Sequence, residues 1–222
     1  MLSESERFYV ELICIIANYG SGSKLIKSAR SHGISGGTVT LGKGTVNSRI
    51  LDYLGLSELK KEIVFLVAEQ SKAYRALEQM NKEFEFHKPN HGIAFTTSIC
   101  GVRGTKSISC ENKIDKSENG EAMYHAITTI VEKGKAEEVI EAATKAGSKG
   151  GTIMNARGSG IHETNKLFSM DIEPEKEIVI ILSEVEMTDA IVRSIQERLK
   201  IDDPGNGIIY VQGVDKAYGI YK

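Results

Sequence analysis

Two short glycine-rich segments are the parts of the sequence whose composition could bind a ligand. One is Arg157-Gly158-Ser159-Gly160, and the other is Pro204-Gly205-Asn206-Gly207. Glycine lets backbone N–H groups approach a bound group closely, and successive N–H groups can form a cradle for an anion such as phosphate. Glycine also meets the positive φ that tight turns require. The two segments therefore predict either an anion site or a purely structural turn.

The other reactive side chains do not form the patterns that enzymes use. His162 and Glu163 are adjacent in a polar stretch, but the remaining histidines share no spacing typical of a zinc site. The sequence contains no Ser-His-Asp order, no paired carboxylates in an acid–base setting and no Walker loop. We therefore predict neither catalytic nor metal-ligating residues, and we do not expect an enzyme.

Composition narrows the class of protein. Of the 222 residues, 41% are hydrophobic and 26% are charged, as in ordinary soluble globular proteins. The net charge of −2 provides no basic surface for nucleic acid. No apolar run approaches the roughly 20 residues of a membrane helix, and the polar start is unlike a secretion signal. Together with the absence of a CxxC pair among three cysteines, these features predict a cytoplasmic protein with no membrane insertion.

The sequence contains an internal repeat. The segment Gly33-Ile34-Ser35-Gly36-Gly37-Thr38-Val39 resembles Gly147-Ser148-Lys149-Gly150-Gly151-Thr152-Ile153, at an offset of 114 residues (147 − 33). Further along, Lys61-Glu62-Ile63-Val64 matches Lys176-Glu177-Ile178-Val179 at an offset of 115 (177 − 62). One residue inserted between the two blocks accounts for the change of offset. Agreement over most of both halves indicates a tandem duplication.

The duplication predicts two domains. We expect copy one over residues 1–103, a polar linker over 104–120 and copy two over 121–222. Hydrophobic periodicity and turn residues predict the same order of elements in each copy. In copy two the strands are expected at 123–131, 151–157, 178–182 and 208–214, and the helices at 135–146 and 187–199. This order, βαββαβ, is typical of an α+β, ferredoxin-like fold with both helices on one face of the sheet.

The third strand of each copy indicates that the other face of the sheet is covered as well. Residues 63–67 and 178–182 are continuous apolar runs, whereas a strand with one wet face should alternate. The helices cover only one face. Either a second copy, another chain or long neighbouring side chains must therefore cover the other.

Copy two resembles the PII family of nitrogen-regulatory signalling proteins over nearly the whole of residues 121–222. The resemblance lies in five segments: Gly134-Lys135-Ala136-Glu137-Glu138-Val139, Ala146-Gly147-Ser148-Lys149-Gly150-Gly151-Thr152, Arg157-Gly158-Ser159-Gly160, Glu173-Pro174-Glu175-Lys176-Glu177-Ile178-Val179 and Pro204-Gly205-Asn206-Gly207-Ile208-Ile209-Tyr210-Val211. Copy one keeps the skeleton but has Asn90 and His91 in place of Gly205 and Asn206.

The resemblance implies a trimer that senses adenine nucleotides and 2-oxoglutarate and docks a long loop onto a transporter or an enzyme. It implies nucleotide contacts in a cleft between subunits. On the matching positions, these contacts are Thr152, Gly158, Gly160, Gly205 and Gly207. The docking loop corresponds to residues 158–173.

Several family features are missing. The basic residue that follows the glycine turn in the family is Ile208 in copy two and Ile93 in copy one. The arginines near the end of the fourth strand fall on Gly219 and Tyr221. The glutamine after the loop glycine is His162, and the loop has no tyrosine for nucleotidylylation. We therefore expect altered or lost ATP binding, unless a basic residue such as Arg157 or Lys216 compensates.

Two functions follow as hypotheses. The first is a non-catalytic PII-like regulator that binds a small effector, an adenine nucleotide or another metabolite, and modulates a partner protein, in nitrogen regulation. The alternative is a ligand-free or ion-binding structural module on the same scaffold. For assembly, a chain trimer with like copies packed together is favoured, and pairing of the two sheets within one chain is the alternative.

Overall fold

Eleven strands and four helices make up the part of the chain that the structure, a computed structural model, describes: residues 9–45, 58–105, 124–159, 165–167, 170–214 and 217. Copy one contains β1 (Val10–Asn18), α1 (Gly22–Ser31), β2 (Gly37–Thr45), β3 (Glu58–Glu69), α2 (Gln70–Phe84), β4 (Ile93–Ile99) and β5 (Gly101–Arg103). Copy two contains β6 (Tyr124–Glu132), α3 (Ala136–Lys145), β7 (Thr152–Ser159), β8 (Asn165–Leu167), β9 (Met170–Ile172), β10 (Glu175–Glu184), α4 (Val185–Leu199) and β11 (Ile208–Val214). The predicted α+β fold with two βαββαβ copies is confirmed.

Strand register repeats between the copies residue by residue. Val10 pairs with Glu69 between β1 and β3, and Tyr124 pairs with Glu184 between β6 and β10. Adding 114 to the number of the first residue and 115 to that of the second converts the pair Val10–Glu69 into the pair Tyr124–Glu184. The same offsets relate the registers of the second and fourth strands. Because the inserted residue falls between the second and third strands of copy two, it changes no register.

The four main strands of each copy, together with β5, form one nine-stranded sheet in the order β4-β1-β3-β2-β7-β10-β6-β11-β5. The copies meet where β2 pairs antiparallel with β7. They meet again at the far ends, where β5 pairs with β11. Strands β4 and β5 are consecutive in the chain, and Cys100 between them donates its N–H to Val211 O at 2.8 Å. The sheet therefore curls until its two ends are held together by residues 93–103.

Three apolar cores result from this arrangement. Each copy packs its two helices on one face of its own sheet, and the helices of copy two bury Val139, Ile191 and Ile195 in this way. The third core lies between the open faces of the two sheets. Its buried members come from both copies: Val10, Leu12, Val102, Ile130, Ile178 and Tyr210. Within the described residues, the second face of the third strands is thus covered in part by the other copy, which is the intrachain alternative left open above.

The third strands are longer than predicted. Strand β10 runs over Glu175–Glu184 rather than 178–182, and β3 runs over Glu58–Glu69 rather than 63–67. Most of the extra residues are charged, so apolar pattern alone does not mark them as strand. They remain in the sheet because their side chains have specific partners, as Glu177 does at the start of α3. Most of the expected linker (104–120), namely residues 106–120, lies outside the described residues, and the domain boundaries stay a prediction.

The first strands bury a titratable side chain at one equivalent position, 11 in copy one and 125 in copy two. Glu11 in β1 is 2% exposed and accepts a hydrogen bond from Gln70 Nε2 at 3.0 Å. Its counterpart at the offset of 114 is His125 in β6, which is 1% exposed and lies with Nδ1 3.0 Å from Thr188 Oγ1. Burial lowers the pKa of His125 below its ordinary value, although Asp189 and Glu186 oppose the shift.

Acidification should therefore destabilise the protein through His125. The unfolded histidine, with a pKa of about 6.5, binds a proton at pH values where the folded one stays neutral. The free energy of unfolding should be unaffected by this residue well above that pH and should fall as the pH drops below it. Urea unfolding at neutral and mildly acidic pH checks this with His125→Asn, which should lose less stability than wild type. The exposed His32→Asn is the control, and equal losses in all three proteins would contradict the assignment.

The shared core predicts unequal costs for two neighbouring isoleucines. Ile178 and Ile180 point to the same face of β10, but Ile178 is 1% exposed and Ile180 is 36% exposed. Ile178→Ala should lower the free energy of unfolding by about 2–5 kcal/mol because it leaves a cavity between the sheets. Ile180→Ala should cost clearly less in the isolated chain. Chemical denaturation measures both, and equal costs would mean that the sheets do not pack as described.

Candidate functional site

The turn before β11, predicted as a ligand cradle, is organised by the end of α4. Lys200 adopts a left-handed conformation with φ 49°, and Gly205 follows with φ 93°. Asn206 Nδ2 donates hydrogen bonds to the carbonyl oxygens of Leu199 (3.2 Å) and Lys200 (3.0 Å). These bonds satisfy carbonyls that a helix end leaves without partners. The conformation of the turn thus follows from helix termination.

Copy one builds the same turn from different residues. Asn90 takes the place of Gly205 and adopts φ 66°, a conformation that asparagine tolerates better than most side chains. His91 takes the place of Asn206, and its Nδ1 lies 3.0 Å from Phe84 O, the counterpart of Leu199 O. Because a carbonyl only accepts, the ring nitrogen is the donor. The two departures of copy one from the glycine motif therefore preserve the backbone.

Gly207 and Gly158 both stand where a side chain would collide with backbone. A Cβ on Gly207 would lie 2.5 Å from Ile130 O, and one on Gly158 would lie 2.3 Å from Gly37 O. The N–H of Gly158 donates to Pro174 O at 3.1 Å. Both glycines thus have a packing role, and the amide of Gly158 is engaged within the protein.

The predicted contacts do not form one compact pocket within copy two. Thr152 and Gly158 are both on β7 but six residues apart, which is roughly 20 Å along a strand. Gly205 and Gly207 precede β11, which two strands separate from β7, roughly 14 Å across the sheet. Gly160 lies outside the described residues. The site therefore stays a prediction, and if it exists it must draw on more than copy two.

A threonine and a glycine of the predicted types do meet between the copies. In the β2–β7 ladder, Thr38 is the partner of Gly158. Thr38 is the counterpart of Thr152 at the offset of 114, so the pair joins the threonine position of one copy to the glycine position of the other. The family resemblance points to Thr152 and not to Thr38. The repeat offset was the signal that could have found it.

Arg157 is the basic residue next to this junction. Its Nη2 donates to Glu62 Oε1 at 2.8 Å, and its Nη1 donates to Ser23 Oγ at 3.1 Å. Its Nη1 also pairs with the carboxylate of Glu173. The side chain of Glu62 is 3% exposed and that of Glu173 is 12% exposed. Arg157 of copy two is therefore held by residues of both copies, and its charge is offset by two carboxylates.

Glu62 has a second role at the start of α1. Its Oε2 accepts a hydrogen bond from the N–H of Gly22 at 2.6 Å. In copy two the equivalent Glu177 accepts from the N–H groups of Gly134 (3.0 Å) and Ala136 (2.9 Å). A helix N-terminus favours an anion because its first N–H groups have no partner and the helix dipole is positive there. In both copies a carboxylate of the protein already occupies this position.

The electrostatics of the junction are thus unlike those of a polyphosphate site. Arg157 already has acidic partners, and Ile208 after the glycine turn is apolar and half-buried. Lys216, Gly219 and Tyr221 lie outside the described residues. Among the residues that are described, no group of three or more His, Cys, Asp and Glu side chains could hold a metal ion. In the same part of the chain, no helix has the length and apolar character needed to cross a membrane.

Removal of Arg157 should destabilise the junction. Arg157→Ala leaves Glu62 buried with its charge unbalanced, and we expect a loss of about 1–3 kcal/mol in the free energy of unfolding. Arg157→Ala combined with Glu62→Gln should recover part of that loss, because the buried side chain at position 62 then carries no charge. The recovery is partial, since Glu173 still lacks its partner. Lys133→Ala is the control. It breaks an ion pair in which the side chains of Lys133 and Glu175 are 54% and 70% exposed, and its loss should cost at most about 1 kcal/mol. Urea denaturation of wild type and the three variants tests the idea, which fails if Arg157→Ala costs no more than Lys133→Ala.

Comparison with known proteins finds a matching family and a sequence relative. The family described as Nitrogen regulatory protein P-II matches residues 124–222. Nitrogen regulatory protein P-II 2 of Methanothermobacter thermautotrophicus is 32% identical over 100 residues, which are 42% of this chain and 86% of the relative.

Some solved structures are also similar to this chain. Arabidopsis thaliana PII bound to citrate is 21% identical with a TM-score of 0.34, over 42% of this chain and 79% of that one. The B. subtilis GlnK–ATP complex is 14% identical with a TM-score of 0.28, over 41% and 84%. The regulatory subunit of aspartate kinase from Thermus thermophilus, in a ligand-free form, is 14% identical with a TM-score of 0.36, over 86% and 93%.

The sequence relationship falls on copy two, and the repeated register extends the same fold to copy one. The relative from M. thermautotrophicus is matched over most of its own length at an identity of 32%. The chain therefore belongs to the nitrogen regulatory protein P-II family.

Proposed function

We propose that the chain is a non-catalytic, cytoplasmic PII-type regulator that binds a small effector and modulates a partner protein, a transporter or an enzyme, in nitrogen regulation. The observation that carries this proposal is the junction of the two copies, where Thr38 lies beside Gly158. The resemblance to the family puts the effector in a cleft between subunits and on residues of these two types. The junction brings the same two residue types together between the two copies of one chain. Membership of the family through copy two supports the same reading.

The effector that suits the junction carries less negative charge than a triphosphate. Arg157 is engaged by Glu62, Ser23 and Glu173, so little positive charge remains for phosphate groups. Carboxylates also occupy the N-terminal ends of α1 and α3. We therefore propose a nucleotide of lower charge or a neutral or weakly acidic metabolite as the ligand class.

The loop after β7 is the part we propose for contact with the regulated protein. Within it, β8 and β9 form a two-stranded antiparallel sheet separate from the main sheet. This places a hairpin between β7 and β10, where the resemblance puts the docking loop. We also propose a homo-oligomer, with three chains as the arrangement that the resemblance implies.

One observation favours the alternative, a ligand-free structural module. The glycines at positions 158 and 207 are required by close backbone contacts, and the turn before β11 is held by Asn206. These roles account for the glycine motifs without any ligand. A ligand screen separates the two functions, because only the regulator should be stabilised by a metabolite.

The screen has a defined expectation for ATP. A ligand at 100 times its dissociation constant stabilises a folded protein by about 2.7 kcal/mol, which a thermal-shift assay detects. ATP should give little or no shift in wild type, whereas ADP, AMP or 2-oxoglutarate is expected to give one if the regulator hypothesis holds. Calorimetry should then show ATP binding weaker than micromolar.

A variant and its matched control test the reason for weak ATP binding. Ile208→Lys restores a basic residue after the glycine turn and should increase the affinity for ATP. Ile208→Gln is polar but neutral and should not. Micromolar ATP binding by wild type would contradict the electrostatic argument. No stabilisation by any metabolite in the screen would favour the structural module.

A further inference from the structure

The two open sheet faces are buried unequally. In copy one, four apolar side chains at one end of the open face remain partly or largely exposed, and we call them the copy-one patch: Ile16, Ile63, Ile93 and Phe95. Ile93 is 63% exposed and Phe95 is 44% exposed. Their counterparts in copy two lie in or against the shared core: Ile130, Ile178, Ile208 and Tyr210.

Copy two shows the reverse pattern at the other end of its face. We call its four apolar residues there the copy-two patch: Tyr124, Ala126, Ile180 and Leu182. Ile180 is 36% exposed and Leu182 is 42% exposed. Their counterparts in copy one lie in or against the shared core: Val10, Leu12, Phe65 and Val67.

The contact between the copies is therefore head-to-tail. One half of the copy-one face packs on the opposite half of the copy-two face, and the remaining half of each face stays outside the core. The β2–β7 ladder has the same asymmetry, because it joins Gly37–Thr40 to residues 156–159. The equivalent ladder would join residues 42–45 to 151–154, and it is not formed among the described residues. A symmetric contact would have used both halves of each face.

We propose that the copy-one patch of one chain docks on the copy-two patch of a second copy of the same chain. This docking would continue the contact that already exists inside the chain. Inside the chain, the counterparts of the copy-one patch already pack against the counterparts of the copy-two patch. The patches carry apolar side chains at the same positions, with Phe95 equivalent to Tyr210 and Leu182 equivalent to Val67. A second copy therefore offers a surface of the matching type.

Such a contact repeats from chain to chain. A head-to-tail interface must either close into a ring or continue as a filament, and soluble assemblies close. We infer a closed ring in which unlike copies alternate. This differs from a trimer in which like copies pack together, because the ring needs both patches in every contact.

The contact also completes a second junction of the Thr38–Gly158 type. By the repeat offset, Thr152 of one chain would lie beside Gly44 of the next, since these residues are the counterparts of Thr38 and Gly158. Thr152 is exposed in the single chain. The assembly thus places Thr152, a contact predicted from the sequence, in the same setting as its buried counterpart.

Two charged substitutions test the proposal by light scattering at low micromolar concentration. Wild type should have a mass that is a multiple of 24.3 kDa. Phe95→Asp and Leu182→Asp each spoil one of the two patches that every contact requires, so each variant alone should be monomeric. Both side chains are more than one-third exposed, so the variants should fold, which circular dichroism and urea denaturation verify.

A mixing experiment decides between unlike and like contacts. The Phe95→Asp chain keeps an intact copy-two patch, and the Leu182→Asp chain keeps an intact copy-one patch. Their mixture should form a 1:1 dimer with one contact, whereas each alone should be monomeric. The chain that carries both substitutions should stay monomeric in every mixture. Met187→Asp, on α4 and 37% exposed, is the control and should keep the wild-type mass.

Two results would overturn the proposal. If the single variants still self-associate and mixing changes nothing, like copies contact each other. If wild type is itself a monomer, a second copy is not the occupant, and a separate protein must cover the patches or they stay in water. Neither result bears on effector binding within the Thr38–Gly158 junction, which the ligand screen tests separately.

Discussion

A four-stranded sheet with helices on one face leaves its other face in water unless something covers it, and this requirement shapes the whole molecule. The open faces here carry isoleucine, valine, leucine and aromatic side chains, whose exposure is costly because apolar burial contributes about 25 cal/mol per Å². The two copies meet the requirement for each other through the core around Ile178 and Tyr210. Every contact between the copies, from the β2–β7 ladder to the β5–β11 pair, follows from bringing those faces together.

The packing of the two copies also determines the chemistry at the junction. Bringing β7 beside β2 places Arg157 of copy two next to Glu62 of copy one, which already stabilises the start of α1. A buried carboxylate that serves both a helix N-terminus and a guanidinium holds the two copies in a fixed relation. The cost is that the most suitable cation near the glycine motifs is no longer available to a highly charged ligand. Stability of the junction and recognition of a triphosphate thus compete for the same arginine.

Much of the fold could be predicted because its signals are local or repeated. The two offsets relate the register of three strand pairs in copy one to that in copy two, and the unbroken run at 178–182 indicated that a second face was covered. The charged ends of β3 and β10 were missed because their place in the sheet depends on partners far along the chain, such as the start of α3 for Glu177. Thr38 and the partners of Arg157 were missed for the same reason, since pairing between copies leaves no trace in local pattern. Whether the covering sheet belonged to the same chain was likewise undetermined by sequence.

The shared core makes covalent continuity between the copies less important than it looks. Strand β5 ends copy one yet pairs with β11 of copy two, and side chains from both halves fill the space between the sheets. A chain cut between the copies would remain a tight complex of two fragments, held as subunits hold one another. What the connection provides is effective concentration, which turns a bimolecular encounter into an intramolecular one. Either half made alone would expose the apolar sheet face that its partner normally covers.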